Sequence, residues 1–144
     1  MNTIFIFFWI YLAMIAASFW ESYSEGRNAW DKGKQGWKIK MGNYVIITGY
    51  HFYLFVIMFP LLLSLPLIIY GWDTKLFGIL LSAYLSGMVI QDFMWYVVNP
   101  VVKLKELNTD FANYYPRVKI GKIKVPIGYF IIIVISVISY IIFV

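Results

Sequence analysis

Four apolar runs, divided by loops that place nearly all the positive charge on one side, constrain this chain more than anything else in it. The runs are Thr3 to Trp20, Tyr44 to Tyr70, Leu76 to Val98 and Pro126 to Val144. Each is close to the roughly 20 residues that carry an α-helix across about 30 Å of hydrocarbon. Of 12 Lys and Arg residues, Arg27, Lys32, Lys34, Lys38 and Lys40 fall in the loop 21–43, and Lys103, Lys105, Arg117, Lys119, Lys122 and Lys124 in the loop 99–125; only Lys75 lies in the short link after the second run. Four crossings put both basic loops on one face, which the positive-inside rule makes cytoplasmic. The expected fold is an all-α integral membrane protein, a single domain over 1–144. It is an antiparallel four-transmembrane-helix bundle, multi-pass in the cell (plasma) membrane, with N- and C-termini outside.

Composition agrees, because 62% hydrophobic with 13% charged residues is too apolar for a soluble domain of this length. The net charge of +5 raises a nucleic-acid reading. The basic residues, however, sit between spans and are interleaved with aromatic ones, so Trp30, Trp37, Lys38, Lys40, Lys119, Lys122 and Lys124 are read as contacts to the bilayer and its anionic lipid headgroups. The absence of cysteine excludes disulfides, thiolate metal sites and Cys nucleophiles. In the first run the charges follow the apolar stretch, the reverse of a secretory signal, so a retained helix entering from outside is expected.

The second run is overlong at 27 residues and carries Pro60 and Pro66 in its outer half. Each proline removes a backbone hydrogen bond, which predicts a bend or unwound segment there and a tilt to absorb the length. Gly71 to Thr74 make a tight turn, so the second and third helices are antiparallel neighbours. Ser82, Ser86 and Gly87 form a small-residue seam for a close helix approach. Asn99-Pro100 stops the third helix. Beyond it, Val118, Ile120, Ile123 and Val125 alternate with lysines around Gly121 in a hairpin-like pattern, and Trp37 to Met41 alternates too. The two stretches could form one small basic sheet, although Lys anchors and aromatic belts at helix ends are the plainer reading.

Chemistry is expected where polar residues enter the apolar runs. His51 lies seven residues inside the second run and Asp92 seven residues before Asn99 in the third, both about 10 Å into the inner leaflet. A carboxylate there needs a partner or a wet cavity, and His51 is the natural partner, with Gln91, Thr48, Tyr96 and Asn99 nearby. Asp92, Tyr96 and Asn99 share one helix face. If the first helix continues past Trp20, Glu21 and Glu25 point the same way, and Glu21, Glu25, His51 and Asp92 converge from three helices. Such an oxygen- and nitrogen-rich set suits Zn, Mn or Fe. The paired Glu-x-x-His of bundle di-iron sites is absent, and pairing of Glu21 and Glu25 with Arg27, Lys32 or Lys34 is the competing reading. No phosphate-cradling glycine loop and no spacing for a nucleophile with its base are present.

Glu25-Gly26 with Gly36-Trp37, Gly49-Tyr50-His51, and Gln91 to Tyr96 followed by Asn99-Pro100 resemble a family of small prokaryotic four-span proteins of unknown function. The resemblance covers most of residues 21 to 100 and implies the fold and the location of a site, not an activity. The chain departs from it at Gln91, where the family implies an acid, and at Asn113 to Pro116, where it implies a His-containing aromatic loop. Two functional readings follow. In one, the inner-leaflet pocket binds a metal ion or proton and acts on, or moves, a small solute or lipid headgroup. In the other, the chain is a structural or assembly subunit packing on itself as a homo-oligomer or on a partner membrane protein.

Overall fold

A computed structural model describes residues 2–30 and 36–144. The chain is mostly helical, with α1 (Thr3–Glu25), α2 (Gly49–Ile69), α3 (Thr74–Val98) and α4 (Ile127–Phe143). Strands β1 (Lys38–Met41) and β2 (Tyr44–Thr48) form one hairpin, and β3 (Arg117–Ile120) and β4 (Ile123–Pro126) form another. α1, α2 and α3 are each long and apolar enough to cross a membrane, and α4 is a shorter apolar helix of 17 residues.

The all-α expectation is corrected at both basic loops. Tyr44 to Thr48 is aromatic and β-branched, and Gly42-Asn43 before it, with Gly42 at φ 58°, supplies the two-residue turn that closes a hairpin. Gly121-Lys122, with Gly121 at φ 60°, does the same for the second. The two do not merge into one sheet; a backbone bond from Val45 N to Tyr114 O, 2.9 Å, ties the first hairpin to the loop before the second. The second helix therefore starts at Gly49 rather than Tyr44, and the excess length of that run is strand. His51 consequently lies in the first turn of α2 rather than two turns inside it.

Nor does α2 unwind in its outer half. It stays helical to Ile69, and its irregularity precedes Pro60: Phe52–Met58 is a π-helical stretch in which Phe59 N bonds to Leu54 O. In that i→i−5 pattern the next donor would be Pro60, which has no N–H, leaving the Phe55 carbonyl unserved. The Tyr84 hydroxyl of α3 donates to that carbonyl instead.

α3 is the hub. It packs along α1 on one side and α4 on the other, whereas α2, although joined to it by the 70–73 turn, touches it lightly. Accordingly 44% of the apolar window of α3 is buried against 11% of that of α2. Small residues of α3 make the close approaches. Ser82 Oγ donates to Ser136 O (2.9 Å) and Ser136 Oγ to Ser82 O (2.8 Å), a reciprocal clasp onto α4. Ser86 Oγ meets Tyr11 OH of α1 at 2.9 Å. A Cβ on Gly87 would fall 2.9 Å from Met14 Cγ, and one on Gly78 only 2.3 Å from Phe143 Cβ.

On α1 the buried stripe Ile10, Met14, Ser18, Glu21 and Ser22 runs on past Trp20, and the helix ends at Gly26, whose N–H bonds to Ser22 O. Beyond α3, short 3₁₀ turns (Leu104–Asn108 and Asp110–Ala112) fold back over the same end of the bundle. Their core joins Ala29, Trp95, Tyr96, Val102, Leu107, Ala112 and Tyr115. Asn99 fastens this cap, donating to Gly26 O at 2.9 Å while its Oδ1 accepts from Val101 N and Val102 N. Arg27 reaches across from α1 to Glu106 (2.7 Å) and Val101 O (2.8 Å), its guanidinium lying over Phe111. The Arg27 hydrogen bond holds the Glu106 carboxyl below the usual range, with the Lys103 backbone N–H adding to it.

Gly78→Ala should therefore lower thermal stability in detergent by about 1–3 kcal/mol, the range for overpacking, whereas Gly128→Ala, with nothing within 4 Å of the new Cβ, should be neutral or slightly stabilising. Because the folded-state pKa of Glu106 is depressed, its contribution is present above the unfolded carboxylate pKa and is lost as pH falls through the folded one. Melting curves between pH 7 and pH 4 should show a smaller loss of Tm for Glu106→Gln than for the wild type.

Candidate functional site

The capped end of the bundle gathers the ionisable groups. Glu21 and Glu25, one turn apart on α1, face the His51 ring at the start of α2: His51 Nε2 lies 3.2 Å from Glu21 Oε1 and 3.7 Å from Glu25 Oε1. One ligand atom from each of the three residues can be chosen so that all lie within 4.8 Å of one another. The ring is held from its other side. His51 Nδ1 is 2.7 Å from Thr48 Oγ1, and the same hydroxyl caps α2 by accepting from His51 N. Gln91 Nε2 of α3 donates to Glu21 Oε2. Glu21 is thus oriented by α3, and His51 by the end of β2.

Aromatic rings seal this cluster. Trp30 stacks on the His51 imidazole, centroids 4.3 Å apart and planes 13° from parallel, and Phe55 lies over it at 6.1 Å. Trp30 takes φ 54°, uncommon for a bulky side chain, among the described residues the one non-glycine in the left-handed region. A cavity of about 10 Å³ lies between Glu21, Glu25, His51, Asp92, Trp95 and Tyr114, room for one water-sized particle. The indole N–H of Trp95 is buried with no acceptor among the described residues.

Asp92 lines the cavity but is not bonded to His51. Its Oδ2 accepts from the Tyr129 hydroxyl of α4. Alongside, Tyr96 OH meets Tyr114 OH at 2.6 Å and Tyr115 OH at 2.9 Å. Burial first, with neighbouring phenols and the Asp92 carboxylate adding to it, raises the pKa of Tyr114 and Tyr115. Both remain neutral hydroxyls at physiological pH.

The structure thus brings Glu21, Glu25, His51 and Asp92 around one cavity, with Gln91 behind Glu21 and Tyr96 in the adjoining hydroxyl cluster. Asn99 is spent on fastening the cap. Arg27 pairs with Glu106 rather than with Glu21 or Glu25, and Lys32 and Lys34 lie outside the described residues. Among the residues read as headgroup contacts, Trp30 covers His51. Trp37 packs on Gly49, whose Cβ would meet the indole at 3.1 Å. Lys38 and Lys40 lie on β1, Lys119 and Lys124 face each other across β3 and β4, and Lys122 is in the turn. Sequence reasoning missed Trp30, Tyr114 and Tyr129 as site neighbours. Their loop and early-helix positions carry no periodicity, and the cue would have been that Trp30 and Tyr114 are polar-tipped aromatics in the basic loops and Tyr129 one in the first turn of the fourth run.

Fold and site define a mostly helical protein whose long apolar helices are of membrane-crossing length and whose capped end encloses a carboxylate–imidazole cluster able to hold a metal ion. No protein-family model, curated protein or solved structure matches the chain.

Tyr84→Phe would leave the Phe55 carbonyl beside this site without a donor. Equilibrium unfolding should show a loss of about 1–3 kcal/mol, the cost of an unserved buried acceptor; an unchanged midpoint would mean that the π-helical stretch does not depend on Tyr84.

Proposed function

We propose that this chain is a multi-pass membrane protein that binds a divalent metal ion through Glu21, Glu25 and His51, at the cytoplasmic end of its helices. The spacing of the three ligand atoms carries the reading. A charge-assisted N–H···O bond is about 2.7–2.9 Å long, and neither carboxylate comes that close to Nε2. Around a tetrahedral ion with metal–ligand bonds of about 2.0–2.2 Å, neighbouring ligand atoms stand about 3.4 Å apart. The 3.2 and 3.7 Å separations bracket that value. Glu21 Oε1, moreover, accepts no hydrogen bond from any described residue.

The surroundings support the same reading. In the tautomer that donates Nδ1–H to Thr48, the imidazole presents the Nε2 lone pair to the cavity, and the Gln91 amide fixes the Glu21 carboxylate. These are the outer contacts that orient metal ligands. The cavity is small, which suits an ion with one further ligand better than an organic solute. Asp92 and a water are the candidates for that further position. Zn, Mn and Fe(II) all accept oxygen-rich sets with one imidazole. The basic loops flank this end of the bundle, and the positive-inside rule supports a cytoplasmic orientation for it.

Elemental analysis of protein purified without chelators tests the proposal. One Zn, Mn or Fe per chain is expected in the wild type, falling at least about tenfold in His51→Ala and in Glu21→Gln, as loss of a ligand predicts. Metal-free wild type that neither takes up these ions nor gains thermal stability from them would leave a proton, not a metal, between the three groups.

A further inference from the structure

A second polar concavity lies outside the metal cluster, between the two hairpins. It encloses about 380 Å³ and is lined by Asn43, Tyr44, Asn113, Tyr115, Arg117 and Lys124. Two cations and four neutral hydrogen-bonding side chains line it, with no acid among the described residues. That chemistry complements an anion bearing several acceptor oxygens.

The cations are prepared for such a ligand in different ways. The Arg117 guanidinium is clamped by Leu107 O (2.6 Å) and Thr109 O (3.0 Å) and also donates to Asn113 Oδ1, which fixes its plane while leaving donors over. Lys124 is half-buried on β4 and has no carboxylate partner among the described residues. Tyr115 forms part of the wall, and its hydroxyl is anchored to Tyr96.

The position of the groove selects the source of the anion. β2 runs directly into α2 at Gly49 and β4 into α4 at Ile127, so the groove opens where two apolar helices begin. The hairpins expose Ile39, Met41, Ile120 and Ile123, each 54% or more accessible, beside Lys40, Lys119 and Lys122. Apolar side chains interleaved with lysines suit the boundary between acyl chains and headgroups.

We propose that this groove holds the phosphate of an anionic phospholipid headgroup, between Arg117 and Lys124, with Tyr44, Asn43 and Asn113 as neutral donors. The inference rests on the reading that the helices cross a bilayer, and the experiment separates the two.

The full chain is expressed in membranes, tested for resistance to alkaline carbonate extraction, purified in mild detergent and analysed by native mass spectrometry with added phosphatidylglycerol or phosphatidylcholine. The wild type should retain one phosphatidylglycerol per chain in clear preference to phosphatidylcholine. Lys124→Gln should reduce that occupancy about tenfold, the loss expected for one charge-assisted contact, and Tyr44→Ala should reduce it further in combination. Lys75→Gln, equal in charge change but in the first turn of α3 at the other end of the bundle, should leave it unaltered. Arg117 is left intact because it holds the cap together, and matching melting temperatures establish that the variants fold. The lipid site is overturned if the preference is missing, if Lys124→Gln behaves as wild type, if Lys75→Gln loses as much, or if millimolar inorganic phosphate displaces the lipid. Release of the chain by carbonate would overturn the membrane reading and this one together.

Discussion

Glu21 and Glu25 stand one turn apart on the buried stripe of α1, and two carboxylates withdrawn from water must be met by positive charge or by donors. Much of the capped end is arranged around that need. β2 ends in Thr48, which starts α2 and at the same time turns the His51 imidazole toward the carboxylates. α3 supplies Gln91 at the depth of Glu21. The loop after α1 folds Trp30 onto the imidazole and keeps water out. The fastenings of the cap also begin next to Glu25: Gly26 accepts from Asn99, and Arg27 grips Glu106 and Val101. The carboxylate pair and the cap are consequently one unit, since releasing the cap would open the carboxylates to water.

The same unit holds α2. Its buried residues, Gly49, His51, Leu54 and Phe55, all lie in its first two turns, and none of the residues from Phe59 to Ile69 is buried. The π-helical stretch that begins at Phe52 makes this compatible with Pro60, because Tyr84 fills the donor position that the proline vacates. α2 is therefore docked mainly through the site and through Tyr84, while α1, α3 and α4 are locked by small residues along most of their length. Anything that changes the charge between Glu21, Glu25 and His51 bears first on the docking of α2.

Much of this was legible in the sequence, and the exceptions have physical causes. Apolar run length located the helices, and the seam Ser82, Ser86 and Gly87 marked the hub because small side chains in an apolar helix have little use but close packing. The helical spacing of Ser18, Glu21, Ser22 and Glu25 exposed the carboxylate pair. Tyr44 to Thr48 misled because an apolar β-branched run reads equally as helix or strand, and only the Gly42-Asn43 turn distinguishes them. Pairing Asp92 with His51 followed from counting depth along a helix that in fact starts five residues later. Tyr129, the actual partner of Asp92, approaches from a helix 37 residues away, and no local pattern announces such a contact.

Whether a proton or a metal ion sits between the three groups is decided by electrostatics as well as distance. Two ionised carboxylates with a protonated imidazole leave a net charge of −1 among these three side chains. The same carboxylates with a neutral imidazole and a divalent ion sum to zero. A cluster walled by Trp30, Phe55 and Trp95 lies in a medium where charge is costly, and either a divalent ion or a second proton would bring these three groups to neutrality. Asp92 bears on the same balance from across the cavity. Bonded to the Tyr129 hydroxyl, it has a donor of its own and could stand near a bound ion without having to ligate it. A metal ion held by these three residues alone would keep one position facing the cavity, the arrangement that distinguishes an exchangeable or reactive metal centre from a closed structural one.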